Sequence, residues 1–317
     1  MKTHHLFYMA PLKGITDALF RSVYMKHFKG LDGAIAPFIN PQRKGGNNKA
    51  LLKDLLPERN CSLPLVPQLL NTDPEDFITL ANHLADLGYD ELNWNLGCPV
   101  PMVARKKRGS GLLPYPDQII EILERIVPNI SQKLSIKMRL GYHQFTESLQ
   151  LIPRLNEFPL SALIIHARLG IQLYRGPTYP EKFRECLELA HHSLFYNGDI
   201  TSVQTFKSLK EQLPEISHWM IGRGLLANPH LPAEINGSSF SCEQKFEELW
   251  AFHQELFNEQ KERLSGPGHL LGKMKQVWIY LIGAFPSGQK ALKKITRAST
   301  EEKYLTAVMR LFESATK

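Results

Sequence analysis

Short apolar runs bounded by turn residues recur from residue 6 to residue 224, and that recurrence restricts the fold more than any single motif does. The runs are LFYMAP, GAIAPF, PLVPQLL, ELNWNLG, LSIKMRLG, ALIIHARLG, SLFYNGD and HWMIGRG, which makes eight candidate strands. From the third onward they alternate with amphipathic stretches such as DPEDFITLANHLADLG, PDQIIEILERIV, TESLQLIPRLNEF, PEKFRECLELAHH and TSVQTFKSLKEQL. Several of these open on Ser, Thr, Asp or Pro, as helices do. Repeated strand and helix units build a parallel sheet. Eight of them before residue 236 fit an α/β chain closed into a (β/α)8 TIM barrel, whose active site lies at the carboxyl ends of the strands. An open doubly wound sheet is the alternative. It would carry G-x-G-x-x-G after its first strand, and here that strand runs into APLKG.

A chain of 317 residues, 43% of them hydrophobic, can bury a full core, which excludes disorder and fibres. Cys61, Cys98, Cys186 and Cys242 form no C-x-x-C pair, so neither a metal cluster nor a disulfide framework is expected, and a reducing, cytoplasmic setting is. The opening MKTHHLFYMAP is too short and too soon interrupted by Pro11 to be a signal peptide core. No apolar run approaches the ~20 residues of a membrane span. A soluble, unprocessed monomer is the expectation.

Past Asn236 the punctuation changes. NGSSFS reads as a linker, and from CEQKFEELWAFHQELFNEQKERL onward the pattern is helical without strands. Residues 1–236 therefore read as the barrel and 237–317 as a smaller helical domain. The net charge of +7 permits a polyanionic partner, and the cations cluster in that tail. Between Leu264 and Thr300 lie Lys273, Lys275, Lys290, Lys293, Lys294 and Arg297, with no Asp or Glu. Lys290, Lys293, Lys294 and Arg297 fall at i, i+3, i+4 and i+7, one helix face able to reach phosphates. An ordinary solvated face would show the same spacing; the absence of acids is what favours a polyanion.

Nearly every candidate strand ends in a polar or special residue: Ala10-Pro11, Gln68, Asn95 to Cys98, Lys137 and Arg139, His166 and Arg168, Asn197-Gly198-Asp199, and Gly222-Arg223. In a barrel these converge on one face. Lys137 interrupts an apolar run, where a cation is costly unless it meets an anion or an electron-rich ring. His166 by itself reads as a satisfied core histidine. MIGRGLLANP offers glycine amides and Arg223 ahead of a short helix, the place where barrels hold a phosphate, and NGD supplies the other half of such a pocket. Gly-rich strand ends also occur because tight turns need them.

Taken in order, MAPLKGITD, PLVPQLL, NWNLGCPVP, GSGLL at 109–113, SIKMRLG, IIHARL, YNGDI and MIGRGLL, followed by KMKQVW, resemble the tRNA-dihydrouridine synthases, flavin enzymes that reduce uridines in tRNA. The resemblance spans residues 8–278. It implies FMN as the bound cofactor, NADPH as external reductant and tRNA as partner, and KMKQVW is similar to the bacterial class acting on the D-loop uridine at position 16. It implies that Cys98 is the general acid that protonates one carbon of the uracil 5,6 double bond while a hydride reaches the other. A thiol of unperturbed pKa near ~8.5 suits that task.

By the same resemblance, Gln68 and Lys137 would contact the flavin ring, with Pro11, Leu12 and Lys13 beside it, and Asn95 would hold the uracil edge. Arg139, His166 and Arg168 would sit near the flavin phosphate or the nucleotide. Asn197, Gly198, Asp199, Gly222 and Arg223 would bind the ribityl-phosphate end. Three departures stand out: Leu12 where methionine is usual, Pro101-Met102 where lysine is frequent, and Leu169 in place of threonine. Arg105, with Lys106, Lys107 and Arg108, could replace the missing cation. Two other functions compete, a small-molecule FMN barrel of the dihydroorotate dehydrogenase kind and an RNA-binding protein with a vestigial flavin site. The first needs no basic tail, and the second would not need Cys98, Lys137, Gln68 and Arg223 together.

Overall fold

The computed structural model describes residues 5–40, 49–285 and 288–315. Strands form at all eight expected runs. They are β1 (Leu6–Met9), β2 (Gly33–Ile35), β3 (Leu65–Val66), β4 (Gln68–Leu69), β5 (Glu91–Leu96), β6 (Lys133–Arg139), β7 (Leu160–His166), β8 (Leu194–Asn197) and β9 (His218–Ile221). All pair in parallel, in the order β3-β2-β1-β9-β8-β7-β6-β5-β4. The two ends of that order are neighbours in the chain, separated only by Pro67. Val66 pairs with Ile35 of β2, and Gln68 pairs with Asn93 of β5. Pro67 has no N–H to give, but its carbonyl accepts from Asn93 N at 2.9 Å. One extended segment, broken into two strands by a proline, thus closes the sheet into an eight-position barrel.

Alternation along each strand sorts the side chains. Phe7 and Met9 of β1, Leu92, Trp94 and Leu96 of β5, and Leu134, Ile136 and Met138 of β6 join the main core. The opposite set faces inward. Tyr8, Ala10, Ile35, Val66, Ala162, Ile164, Phe195 and Met220 form a separate apolar cluster. On β4 to β6 the equivalent positions carry Gln68, Asn93, Asn95, Ser135, Lys137 and Arg139, all buried. Half of the barrel interior is therefore polar, and its amides must satisfy one another.

The linker read at NGSSFS leads into helix Cys242–Arg263, capped by Ser241, whose Oγ accepts from Gln244 N at 3.1 Å. Helices Pro267–Leu281, Gln289–Arg297 and Glu301–Ala315 follow. Their core is continuous with the barrel's. Phe252 packs edge-on against Phe20 at 5.6 Å and against Phe28 at 5.2 Å, both on or next to helix Ala18–His27. Lys273 reaches back to Asp17, the cap of that helix, and donates to Gly14 O at 2.9 Å. No helix among the described residues is long and apolar enough to cross a membrane.

Because Phe252 fills the joint, Phe252→Ala should lower stability by about 3–5 kcal/mol. Barrel and helices should still melt in one transition, measured by calorimetry; two separated transitions would show that the shared core does not couple them.

Candidate active site

A cavity of about 610 Å³ opens at the carboxyl ends of the strands. That is within the usual range for a cofactor or ligand site. Register explains what it gathers. Asn95 pairs with Lys137 across β5 and β6, and Arg139, His166 and Asn197 pair in succession across β6, β7 and β8. With Pro11, Leu12, Lys13, Cys98, Gly198, Asp199, Gly222 and Arg223, these residues line one space.

Cys98 sits on a turn held from both sides. Asn95 Oδ1 accepts from the amides of Gly97 and Cys98 at 3.0 and 2.9 Å. The Cys98 carbonyl accepts from Ser110 N at 3.0 Å and Ser110 Oγ at 3.1 Å. Gly109, at φ 56°, passes so close that a Cβ there would lie 2.6 Å from that carbonyl. Burial pushes the thiol up from its ordinary value, against the Val100 amide and the cations Arg139, Lys13 and Lys137. The thiol is protonated at neutral pH.

Behind this turn runs a chain of side-chain amides. Asn95 Nδ2 donates to Gln68 Oε1 at 2.8 Å, Gln68 Nε2 to Asn93 Oδ1 at 2.7 Å, and Asn93 Nδ2 to Ser135 Oγ at 3.0 Å, which ends on Leu92 O. Gln68 is fully buried and does not line the cavity; its amide acts on Asn95.

Lys137 is enclosed, and among the described residues its hydrogen bond goes to Asn197 Oδ1 at 2.9 Å. Asn197 is aimed by its own donation to Met220 O at 2.8 Å. Burial and the nearby Arg139 bring the Lys137 ammonium down to about 7. A buried ammonium with a single neutral acceptor is a place for an anion. His166 is held neutral by burial and by Arg139, Lys137, Arg168 and Arg223.

Arg168 is buried outside the cavity lining. It pairs with Asp199, which also accepts from Arg223 Nη2 at 2.8 Å. Burial alone would raise the Asp199 carboxyl, but the two guanidinium groups hold it below its usual value. One carboxylate against two arginines leaves a net positive rim suited to a phosphate.

Sequence reasoning missed Tyr174 and Tyr280, which also line the cavity. Tyr174 lies over Arg139 and Arg223, 5.2 and 5.9 Å from its ring centroid, a cation-π arrangement no local pattern announces. Tyr280, two residues past Trp278 in KMKQVWIY, arrives from the helical part. Arg105 is exposed and outside the cavity. Lys273 is tied to Asp17, and Lys275 donates to Ala298 O. Lys290, Lys293, Lys294 and Arg297 are exposed and line a separate groove of about 720 Å³, where Lys303 and Arg310 of the last helix join them.

The parallel barrel with these groups at its strand ends is of the TIM-barrel class. Residues 8–314 match the family described as dihydrouridine synthase, and the chain belongs to that family. The tRNA-dihydrouridine(16) synthase of Aquipseudomonas alcaligenes is 25% identical over 300 residues, 91% of this chain and 94% of that protein. The tRNA-dihydrouridine synthase B of Pasteurella multocida (strain Pm70) is 30% identical over 225 residues, 71% and 67% of the two chains. Among solved structures, a variant of NCR from Zymomonas mobilis superposes with a TM-score of 0.51 over 73% of this chain and 86% of that one; at 14% identity the likeness shows the fold alone.

Lys137 gives a pH signature. Its value is 10.5 when unfolded and about 7 when folded, so charging it opposes folding fully below pH 7, and the penalty fades as pH rises toward 10.5. Lys137→Met should therefore stabilise ligand-free protein at pH 6, on the order of a few kcal/mol, with the gain vanishing above pH 10. Thermal melts across pH test this; a gain that grew with pH would reverse the assignment.

Proposed function

We propose that this enzyme reduces the 5,6 double bond of a uridine in tRNA, with FMN held in the barrel mouth and NADPH as the external reductant. The observation that carries the reading is that one cavity holds both a protonated thiol, Cys98, and a buried ammonium, Lys137, whose hydrogen bond among the described residues goes to the neutral Asn197. The cavity fits FMN. Lys137 offers charge to a ring that gains electrons, while Arg223, the Gly198 and Gly222 turns and Asp199-oriented guanidinium groups suit a phosphate. Bound there, FMN supplies hydride chemistry.

The chain's own residues do the rest. Cys98 Sγ gives its proton to the uracil carbon that acquires negative charge, and burial keeps that proton in place until substrate arrives. Asn95, fixed by Gln68, holds the thiol turn and presents its remaining edge to the base. Neutral His166 and Arg139 border the nucleotide. Residues 237–317 act as the tRNA-binding half, with Lys290, Lys293, Lys294, Arg297, Lys303 and Arg310 meeting backbone phosphates. Two relatives with tRNA in their names support the substrate, and the one that names position 16 supports a D-loop uridine there. Mapping dihydrouridine in tRNA from a strain lacking this gene tests the reading, and loss at a position other than 16 would correct the site.

Cys98→Ala should leave flavin binding and NADPH-driven flavin reduction intact and lower dihydrouridine formation by ~10²–10⁴-fold, with little rescue by Cys98→Ser. Parental uridine reduction in the alanine variant would make Cys98 a small turn residue only. Reversing Lys290, Lys293, Lys294 and Arg297 to Glu should weaken tRNA binding and flatten its salt dependence without changing NADPH oxidation. Unaltered affinity in a binding titration would return that face to ordinary solvent exposure.

A further inference from the structure

Nine large apolar side chains are exposed among the described residues, and five of them stand on the two loops that follow Cys98 and β7, three of these lining the cavity. Val100 and Met102 follow Cys98 directly; Ile171, Leu173 and Tyr174 follow β7. Met102 is 78% exposed, the most of the nine. Val100, Met102 and Tyr174 line the cavity itself. Arg139, buried between the loops, fastens them together: its Nε donates to Gly97 O at 3.0 Å and its Nη1 to Leu169 O at 2.7 Å. The two segments that carry these side chains are thus joined beside the cavity, and together make up its rim. A concentrated apolar patch rimmed by polar groups marks an interaction site.

The second loop also bears strain in its backbone. Arg175 N donates to Gln172 O at 2.9 Å, closing a tight turn in which Leu173 has φ 53° and ψ −105°. That is the first central position of a type II′ turn, where glycine is the undemanding choice. A leucine held there is costly, and it projects an apolar side chain at the rim. Cations flank the rim on both loops, Arg105, Lys106 and Lys107 on one side and Arg175 on the other, all exposed.

We propose that this rim is an RNA wedge: Met102 and Leu173 stack against the nucleotides flanking the uridine drawn into the cavity, and the flanking cations meet their phosphates. The proposal rests on the tRNA reading above and extends it to how the base is held out. A base taken out of its stack leaves its neighbours without stacking partners, and apolar side chains are the means by which proteins fill such gaps. Apolar residues bracketed by cations match that alternation of base and phosphate. At position 102 the long, flexible methionine covers irregular ring faces.

The test uses flavin-loaded, full-length protein and tRNA from a strain lacking the gene. The variants are Leu173→Gly, Met102→Gln and Met102→Leu. Flavin is reduced with NADPH, then its oxidation by tRNA is followed in a single turnover, alongside melting temperature and sedimentation. Leu173→Gly should melt at or above the parent, because glycine relieves the turn, yet its tRNA-driven oxidation should slow by roughly 10-fold. Met102→Gln should slow similarly, and Met102→Leu should recover the rate. Parental rates in Leu173→Gly and Met102→Gln would overturn the wedge. So would a parent dimer that these variants dissociate with tRNA rates unchanged, since the rim would then be a contact between copies of this chain. A parent that reduces no tRNA uridine at all would instead fail the substrate reading, and the wedge with it.

Discussion

The arrangement on which the rest of the site depends is the buried run of amides inside the barrel, from Ser135 through Asn93 and Gln68 to Asn95 and the Cys98 turn. Each link uses a donor and an acceptor that would otherwise be left unsatisfied out of water, so losing one member exposes its neighbours. The run crosses β4, β5 and β6, which include the strand broken at Pro67. Barrel closure and thiol placement are therefore one structural problem: the segment that completes the sheet also carries the glutamine that aims Asn95.

Around that framework the electrostatics are lopsided. Lys137, Arg139, Arg168 and Arg223 gather at the strand ends, where Asp199 pairs with Arg168 and Arg223. Burial makes this surplus costly. Lys137 drops to about 7, Arg139 to about 10, and His166 stays neutral. Such a site lowers its own energy by admitting an anion, and perturbed groups of this kind cluster where chemistry occurs. The same burial acts oppositely on the two groups, raising the Cys98 thiol while it lowers the Lys137 ammonium.

The helical part is tied into this system. Lys273 crosses to Asp17 and Gly14, on the segment that follows Pro11 to Lys13, and Tyr280 reaches the cavity from the same helix. The tail's cations thus divide by task. Lys273 and Lys275 bond within the chain, while Lys290, Lys293, Lys294 and Arg297 face solvent beside Lys303 and Arg310. Local charge counts cannot separate these groups, because a lysine's partner is set by what packs opposite its helix.

By itself the sequence determined the parallel barrel, since eight apolar runs spaced by amphipathic helices admit few other packings, and it determined which strand ends carry polar residues. Period and turn chemistry are local, and they survive into the structure at every strand. The ordered motifs from NLGCP to IGRG likewise singled out Cys98 and Lys137. Only the tertiary structure decided what each polar group touches. Gln68 turned out to face Asn95, Arg168 to lie behind Asp199, and Tyr174 to lie over two arginines supplied by other strands. Strand register and barrel closure bring residues distant in the chain within hydrogen-bonding range, and no local pattern encodes those distances.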